Sequence, residues 1–309
     1  MPRTFLEALS YRPLLFEPVP PSARAAPARA EAATREIAGL LQDLPRVDAI
    51  DIPELVDENH DGRPYYRSGD TRMFARRLQD TTGRPSIVNK VVAHLPSAAA
   101  VASWGQETVQ RGISHVVLVG GSSRYIPYPG PTVVEADRIV APILAPAHGV
   151  LGNIAIPQRT GEPHRMLQKT RAGAGFFTTQ IVFDGDSVLR MLREYDRLCR
   201  QGGFPPSPVL VSVAPIGDEG DAEFVRWLGA DIPEAAERAI LGGDDALAGA
   251  RSIERALGVY RAVRDGVRSE GIEVPLGVNV EQISPRHLGT AAEMLRAFAA
   301  AIDEVPPTP

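Results

Sequence analysis

The chain alternates between short apolar segments and longer segments in which apolar residues have a helical spacing. Eight short segments are rich in β-branched and aromatic residues, which favours strands that are buried on both faces. Each is followed by sequence whose apolar residues recur every three or four positions, which predicts an amphipathic helix. The predicted strands cover residues 14–16, 47–52, 86–92, 114–119, 150–156, 176–182, 208–214 and 274–280.

The predicted helices separate these strands from one another. They cover residues 28–44, 71–80, 97–111, 133–145, 162–172, 187–200, 246–269 and 286–302. The polar segment 53–70 is predicted to be a long loop. Eight alternating strand and helix units without a change of composition predict a single (β/α)8 TIM barrel domain over residues 1–304. Residues 305–309 are predicted to be a disordered tail.

An open, doubly wound sheet is the alternative α/β architecture. Such sheets usually contain fewer strands than the eight predicted here. The sequence also lacks a G-x-G-x-x-G fingerprint before a helix, a Walker motif and an H-E-x-x-H motif. The barrel is therefore the favoured fold.

Composition and charge narrow the class of partner. The chain has 309 residues, 44% hydrophobic and 23% charged, which is typical of a globular protein. A formal charge of −5 without a basic cluster argues against nucleic acid. The one cysteine, Cys199, excludes an internal disulfide, and the scattered histidines give no metal-ligand spacing, so no metal is assigned. No segment has the length of a membrane span or a secretory signal, so we expect a cytoplasmic protein without a membrane partner.

Polar residues at the ends of predicted strands are the candidate site residues, because barrel active sites collect there. Glu17 follows an apolar strand and lies between Phe16 and Pro18, neighbours that can raise a carboxyl pKa for acid–base work. The alternative is a solvated charge at a strand end. Glu54 and Glu281 follow other strands and are candidates for substrate binding.

Gln180 stands out in the stretch 169–184, where a helix end and a glycine hinge lead into an apolar strand. Its amide offers one donor and one acceptor group to a ligand, or it caps a neighbouring backbone group. Asp184 is expected to cap the next helix. Cys199 is expected to pack in the protein interior rather than act as a nucleophile.

Two further positions have competing interpretations. Gly121, after Gly120, permits close approach of a phosphate or a flat ring to the backbone, and a tight turn accounts for the pair equally well. Lys90 lies inside a predicted strand, where a buried ammonium needs a partner. The favoured interpretation is that Lys90 points outward and extends to water, and a barrel carboxylate as its partner is the alternative.

Several segments resemble the methylenetetrahydrofolate reductases. Residues 176–184 (FFTTQIVFD) resemble the strand-six signature of that family, and residues 16–21 (FEPVPP) resemble its first-strand Glu-x-x-Pro-Pro motif. Residues 47–52, 112–119, 214–216 and 228–233 match further family segments in the same order. The resemblance thus spans nearly the whole chain.

The resemblance implies a TIM barrel that reduces 5,10-methylenetetrahydrofolate to 5-methyltetrahydrofolate. By that resemblance Glu17 is the acid that opens the imidazolidine ring, and Gln180 binds the folate. Lys169 matches a lysine that helps hold the flavin, and a solvated helix lysine is its alternative. The implied reductant is NAD(P)H, the family cofactor is FAD, and the expected partner is a tetrahydrofolate-type molecule. A homo-oligomer is compatible with the sequence.

Departures from the family pattern fall mainly on positions that contact the flavin. Gly120, Gly121 and Ser122 replace the family's Arg-Gly-Asp, so its carboxylate is missing, although Gly121 and Ser122 keep a place among the candidate cofactor residues. Residues 53–55 (PEL) replace Thr-Asp-Asn, and Ile156 replaces a tyrosine. We therefore hypothesise weak or absent flavin binding, with hydride passing directly from the nicotinamide. Two alternatives are a non-catalytic folate-binding barrel and a folate-linked demethylase or methyl-transfer enzyme.

Overall fold

A computed structural model describes residues 4–123 and 125–303 of the chain. Eight strands form a closed barrel in the order β1, β10, β9, β8, β7, β6, β5, β2, and a separate two-stranded sheet contains β3 and β4. The closed barrel with alternating helices confirms the predicted (β/α)8 fold. The predicted tail at 305–309 lies outside the described residues.

The eight barrel strands lie close to their predicted positions, whereas the two strands of the separate sheet were not predicted. The strands are β1 Leu14–Glu17, β2 Ala49–Ile52, β3 Val56–Glu58, β4 Pro64–Tyr66, β5 Ser86–Val91, β6 His115–Val119, β7 Leu151–Ala155, β8 Phe176–Thr179, β9 Val209–Val213 and β10 Leu276–Glu281. The main difference is β8, which ends before Gln180 instead of continuing to Val182. The backbone N–H of Ile181 donates to Gln180 Oε1, 2.9 Å away, so a side chain replaces a strand partner there.

The helices are α1 Phe5–Leu9, α2 Pro27–Gln42, α3 Thr71–Thr82, α4 Ala98–Gln110, α5 Val133–Leu144, α6 Glu162–Ala172, α7 Gly185–Gly202, α8 Glu219–Trp227, α9 Glu234–Leu241, α10 Ala248–Ser269 and α11 Leu288–Asp303. The sequence pattern did not predict α1, α8 or α9. Helix α8 has a clear start, because Asp218 accepts a hydrogen bond from the Asp221 N–H at 2.9 Å. These helices are short, so the periodic signal in each is weak.

The segment 53–70, which was predicted to be a long loop, contains an antiparallel hairpin of strands β3 and β4. The turn is built by Asn59, whose Oδ1 accepts from the N–H groups of Asp61 and Arg63 at 3.0 and 2.8 Å. Gly62 has a φ of 73°, a conformation that glycine adopts without steric cost. Polar composition hid the hairpin because its residues are half-buried or exposed.

Two predictions about the α7 region are confirmed. Asp184 caps α7 by accepting from the N–H groups of Asp186 and Ser187 at 3.0 and 3.1 Å. Cys199 is fully buried and packs in the interior. No helix in the described part of the chain has both the length and the apolar character needed to cross a membrane.

Contacts divide the chain into two compact units. The first consists mainly of Pro18–Ile154 with Gln168–Phe176, and it contains β2 to β6. Its polar interior includes Asp137 on α5, whose Oδ1 accepts from Asn153 Nδ2 on β7 at 3.0 Å. Burial raises the pKa of Asp137 to about 7, against the hydrogen bond from Asn153 and the charge of Lys169, which lower it.

The second unit contains β1, β9 and β10 and consists of Glu7–Glu17, Ala155–Leu167 and the chain from Phe177 onward. Tyr260 on α10 packs edge-on against Phe298 on α11, with ring centroids 5.7 Å apart. One cluster of buried apolar residues joins the segments after β8 and β9 to the inner faces of α8 and α9. It includes Ile181 and Phe183 after β8, and Ala214 and Ile216 after β9. These contacts fix the segments that follow the carboxyl ends of β8 and β9.

Gly152 in β7 provides a test of packing in the first unit. A Cβ atom at this position would lie 2.4 Å from the Phe176 ring, which itself packs edge-on against Phe5. We expect Gly152→Ala to lower the free energy of unfolding by about 1–3 kcal/mol, because the ring has to shift. Denaturant unfolding measures this change.

Gly258→Ala is the matched control. Gly258 lies in α10, and a Cβ there would meet no atom within 4 Å. This substitution should raise stability by about 0.5–1 kcal/mol, because alanine is the better helix former. Equal effects of the two substitutions would contradict the packing described for β7.

Candidate active site

Glu17 is the last residue of β1, at the carboxyl edge of the strands in the second unit. It is in register with Glu281, the last residue of the parallel neighbour β10. Side chains alternate along a strand, so Glu17, Glu281 and Asn279 lie on the same face of this sheet. The sheet thus presents two carboxyl groups and an amide together at its carboxyl edge.

A line of hydrogen-bonded polar side chains crosses the sheet from Glu17. Asn279 Nδ2 donates to Glu17 Oε2 at 2.7 Å and to Ser212 Oγ on β9 at 3.2 Å. The N–H of Ser212 in turn donates to Thr179 Oγ1 on β8 at 2.9 Å. Asn279 and Ser212 are fully buried. Polar residues on four adjacent strands are therefore linked, although only Glu17 was singled out by the sequence.

The environment of Glu17 favours a protonated carboxyl group. Burial raises the pKa of Glu17 to about 7, and the hydrogen bond from Asn279 limits the rise. A carboxyl group with a pKa near neutrality exists in both protonation states at the pH of most cells, which is the property of an effective general acid. The predicted effect of apolar neighbours on Glu17 agrees with this environment.

The side chain of Gln180 binds two backbone groups. Its Nε2 donates to the Leu228 carbonyl at 2.9 Å, and its Oε1 accepts from the Ile181 N–H at 2.9 Å. These contacts are the backbone cap named as one alternative for Gln180. An amide has a second N–H and a second lone pair, so a ligand can still bind. Gln180 follows β8 in the same sheet as Glu17, so both residues lie at its carboxyl edge.

In the first unit, Glu54 and Lys90 form a buried ion pair. Lys90 Nζ lies 2.5 Å from Glu54 Oε1, and Glu54 Oε2 accepts from the Val91 N–H at 2.8 Å. Lys90 is only 8% exposed and also lies over the Tyr66 ring of the hairpin. The interpretation that Lys90 extends outward to water is therefore wrong, because Glu54 supplies the partner that a buried ammonium requires.

A second polar cluster in the first unit was not predicted. Glu58 on β3 accepts hydrogen bonds from Ser122 Oγ and Tyr128 Oη, each at 2.6 Å, and its Oε1 lies 2.7 Å from His94 Nε2. Burial acts to raise the pKa of Glu58, but these hydrogen bonds outweigh it and hold the pKa below its ordinary value. In the sequence, the acidic residues of segment 53–70 were the feature that could have indicated this cluster.

The three residues matched to flavin contacts are used within the protein. A Cβ on Gly121 would lie 2.2 Å from the Tyr128 ring, so this glycine receives a flat ring from the chain itself. Ser122 binds Glu58. Lys169 is 7% exposed, and its Nζ donates to the Ile154 carbonyl at 2.7 Å. Contacts within the chain therefore engage all three residues, and their assigned role toward a flavin stays a prediction.

One group of acidic residues and a histidine has a spacing compatible with a metal. Ligand atoms of Asp218, Asp221 and His287 lie within 4.8 Å of one another. His287 Nε2 lies 3.0 Å from Asp221 Oδ2, and Arg286 lies 3.6 Å from Asp218. Because Arg286 already provides positive charge, we describe the group as an ion-pair cluster.

The similarities of this chain to known proteins are found among solved structures. No model of a known protein family matches the chain. No curated protein matches it either.

Among solved structures, an uncharacterized protein from Clostridium thermocellum, described as binding two copies of 5-methyl-5,6,7,8-tetrahydrofolic acid, has a TM-score of 0.75. It is 15% identical, with 96% of this chain and 98% of that chain covered. At this identity the similarity shows the fold, and the resemblance to methylenetetrahydrofolate reductases stays a prediction.

A second solved structure, orotidine 5'-phosphate decarboxylase from Pyrococcus horikoshii, has a TM-score of 0.49 at 10% identity. The match covers 94% of this chain and 100% of that chain. A likeness this distant carries no argument about this chain.

The buried ion pair generates a stability prediction. Lys90→Met should lower the free energy of unfolding by about 3 kcal/mol, because it leaves the Glu54 carboxylate buried without its cation. The double variant Lys90→Met with Glu54→Gln should recover part of this loss. A double-mutant cycle from denaturant unfolding measures the coupling.

Arg238→Ala is the control for this cycle. It breaks the ion pair of Arg238 with Glu234, and both of these side chains are well exposed. Exposed pairs contribute little, so a change below about 1 kcal/mol is expected. A loss of the same small size for Lys90→Met would show that the Glu54 pair is not buried.

The pKa of Glu17 generates a pH prediction. Between the ordinary value of 4.5 and the folded value of about 7, the folded protein holds a proton that the unfolded chain has lost. The stability contributed by Glu17 is therefore complete below pH 4.5 and is lost as the pH rises to about 7. Glu17→Gln has no such titration. The wild-type free energy of unfolding, relative to that of this variant, should fall over this range and then level off.

The fall should amount to about 2 kcal/mol, because partial exposure of Glu17 reduces the roughly 3 kcal/mol that the full shift implies. Denaturant unfolding of both proteins across the pH range measures it. Other groups, including Asp137, cancel in the difference. A constant difference across the range would contradict a raised pKa.

Proposed function

We propose that this protein binds a tetrahydrofolate-type ligand and reduces 5,10-methylenetetrahydrofolate to 5-methyltetrahydrofolate with hydride taken directly from NAD(P)H. The observation that carries the proposal is the carboxyl group of Glu17, with a pKa of about 7, at the carboxyl edge of barrel strands. The solved barrel from Clostridium thermocellum, similar over nearly its whole length, is described as binding 5-methyltetrahydrofolate. The family motifs at Glu17 and Gln180 point to the same ligand class.

The proposed reaction uses Glu17 as the proton donor. Its O–H bond breaks as a proton passes to the ring nitrogen that leaves the one-carbon unit, and the C–N bond breaks toward that nitrogen. The resulting iminium carbon accepts hydride from the dihydronicotinamide. The nicotinamide is oxidised and the folate carbon is reduced by two electrons, so atoms and electrons balance. Glu17 is left as a carboxylate and regains its proton from water.

Gln180 supports the folate assignment through its remaining hydrogen-bonding capacity. Its contacts with Leu228 and Ile181 fix the plane of the amide. One N–H and one lone pair then remain for the donor and acceptor edge of a pterin ring. Glu281, in register with Glu17, is the second carboxyl group at the same edge and is the second proposed contact of the pterin.

Direct transfer from the nicotinamide, without flavin, is supported by the contacts of Gly121, Ser122 and Lys169. The Tyr128 ring covers Gly121, and the polar groups of Ser122 and Lys169 bind Glu58 and the Ile154 carbonyl. A flavin bound at these positions would have to displace the half-buried Tyr128 ring and break two short hydrogen bonds. The expected reductant is therefore the nicotinamide alone.

A folate-binding barrel without catalysis is the second candidate. The capping contacts of Gln180 favour it, because they give this residue a structural role that needs no reaction. A folate-linked demethylase or methyl-transfer enzyme would use the same scaffold. Oxidation of NAD(P)H by the purified protein with methylenetetrahydrofolate separates these options, since only the reductase consumes the reductant.

The deciding prediction concerns Glu17→Gln. An amide cannot supply a proton, so turnover should fall by about a hundredfold or more. Binding of 5-methyltetrahydrofolate should change little, and titration calorimetry measures it. Glu36→Gln, an exposed substitution on α2, is the matched control and should behave as the wild type.

The wild-type protein should turn over without added FAD and should show no flavin absorbance after purification. A flavin spectrum that survives purification, with turnover that depends on it, would overturn direct transfer. Folate binding without oxidation of NAD(P)H by the wild type would favour the non-catalytic barrel. Unchanged turnover in Glu17→Gln would remove Glu17 from the acid role.

A further inference from the structure

We infer that Asn279 is a positioning residue that holds the carboxyl group of Glu17 and stabilises the carboxylate left after proton donation. The inference rests on the proposed acid role of Glu17 and adds a residue that the family resemblance does not assign. It starts from geometry, since Asn279 Nδ2 lies 2.7 Å from Glu17 Oε2. This is the shortest bond in the polar line that crosses β1, β10, β9 and β8.

The position of Asn279 is fixed on two sides. Asn279 lies in the middle of β10, where it is paired with Leu15 of β1 and with Ser212 of β9. Its Nδ2 has two hydrogens, and the two acceptors Glu17 Oε2 and Ser212 Oγ account for both. Asn279 is fully buried, so no water competes for these bonds. A buried amide held this way can move little, and it sets the orientation of the carboxyl group.

The direction of the hydrogen bond matters for the chemistry. An amide N–H only donates, so Oε2 of Glu17 acts as acceptor and the acidic proton belongs on Oε1. When that proton leaves, the bond from Asn279 becomes charge-assisted and strengthens. Asn279 therefore contributes more to the state after proton transfer than to the state before it, which is the condition for accelerating the step.

Other ionisable groups also lie on the barrel strands. Glu281 on β10 is the register partner of Glu17 and lies on the same face of the sheet. Asp51 on β2 is a further carboxyl group and is fully buried. Lys90 on β5 is paired with Glu54, and burial lowers the pKa of His115 on β6 to about 4, which keeps it neutral. Within the second unit, Asn279 is thus the hydrogen-bond donor that offsets burial at Glu17.

The experiment measures the titration of Glu17 in protein without ligand. Carboxyl 13C NMR of protein labelled at glutamate identifies Glu17 as the signal missing from Glu17→Gln. In Asn279→Leu, which has a similar volume and no N–H, the Glu17 pKa should rise by about one unit, a tenfold change in acid constant. Asn153→Leu is the matched control, because it removes another fully buried strand asparagine, and the Glu17 titration should stay unchanged.

Kinetics supply the second readout. In Asn279→Leu, kcat should fall several-fold below the pKa, because Glu17 becomes a weaker acid, and the alkaline limb of the pH profile should move upward. KM for the folate should change little, since Asn279 is buried beneath Glu17. A purely structural role would lower the amount of folded protein without moving the pH profile.

Two measurements keep the inference testable if Asn279→Leu does not fold. In the wild type, the 15N and 1H signals of the Asn279 side-chain amide should titrate with the midpoint of Glu17. Ser212→Ala, which removes one acceptor of that amide, should raise the Glu17 pKa by a smaller amount. An unchanged Glu17 pKa in the variants would overturn the inference. Asn279 amide signals that do not change as Glu17 titrates would also overturn it.

The outcome separates this inference from the proposed function. A raised Glu17 pKa in Asn279→Leu, in a protein that never oxidises NAD(P)H, would leave the positioning contact intact and end the reductase proposal. If turnover depends on Glu17 but the Glu17 pKa is the same in Asn279→Leu and the wild type, the inference is wrong and the reductase proposal still stands.

Discussion

Limited access of water to the end of β1 is the constraint on which the candidate chemistry depends. A carboxyl group exposed to water is ionised at neutral pH, whereas Glu17 is only partly ionised there because burial penalises the charged form. Burial alone would make the group inert, since a carboxylate could not form after proton transfer. The hydrogen bond from Asn279 opposes burial and brings the pKa to about 7. The acid therefore results from two opposed effects, of which burial is the larger.

That balance is possible because parallel strands place equivalent residues side by side. The register of β1 with β10, and of β10 with β9, places Asn279 beside Leu15 and Ser212. The side chain of Asn279 then reaches Glu17, which is two residues beyond Leu15 and on the same face. A shift of one residue in either strand would turn the amide to the opposite face and leave Glu17 without its donor. Strand register thus determines the acid strength.

The sequence predicted the barrel well because eight apolar segments alternate with helical periodicity over nearly the whole chain. The misses at Lys90 and Asn279 share a physical cause, which is that partners distant in the chain decide the outcome, whereas the missed short helices and the missed hairpin lacked a clear apolar pattern. Lys90 appeared free to reach water until the fold supplied Glu54, 36 residues away, as a buried partner. Asn279 looked like one polar residue in an apolar strand, and its bond to Glu17 joins residues 262 positions apart. Propensity carries no information about such pairs.

In the first unit, a sequence feature that was predicted to bind a ligand instead makes contacts within the protein. Gly121 permits a flat ring to approach the backbone, as the sequence suggested, and the ring that approaches belongs to Tyr128. Tyr128 and Ser122 then share the carboxylate of Glu58, which His94 also contacts. The hairpin that carries Glu58 is thereby tied to the loop that follows β6. A flavin ring at that position would have to displace both the aromatic contact and the hydrogen-bond donors of the carboxylate, so the contacts that order the hairpin are also those that support the proposed transfer without flavin.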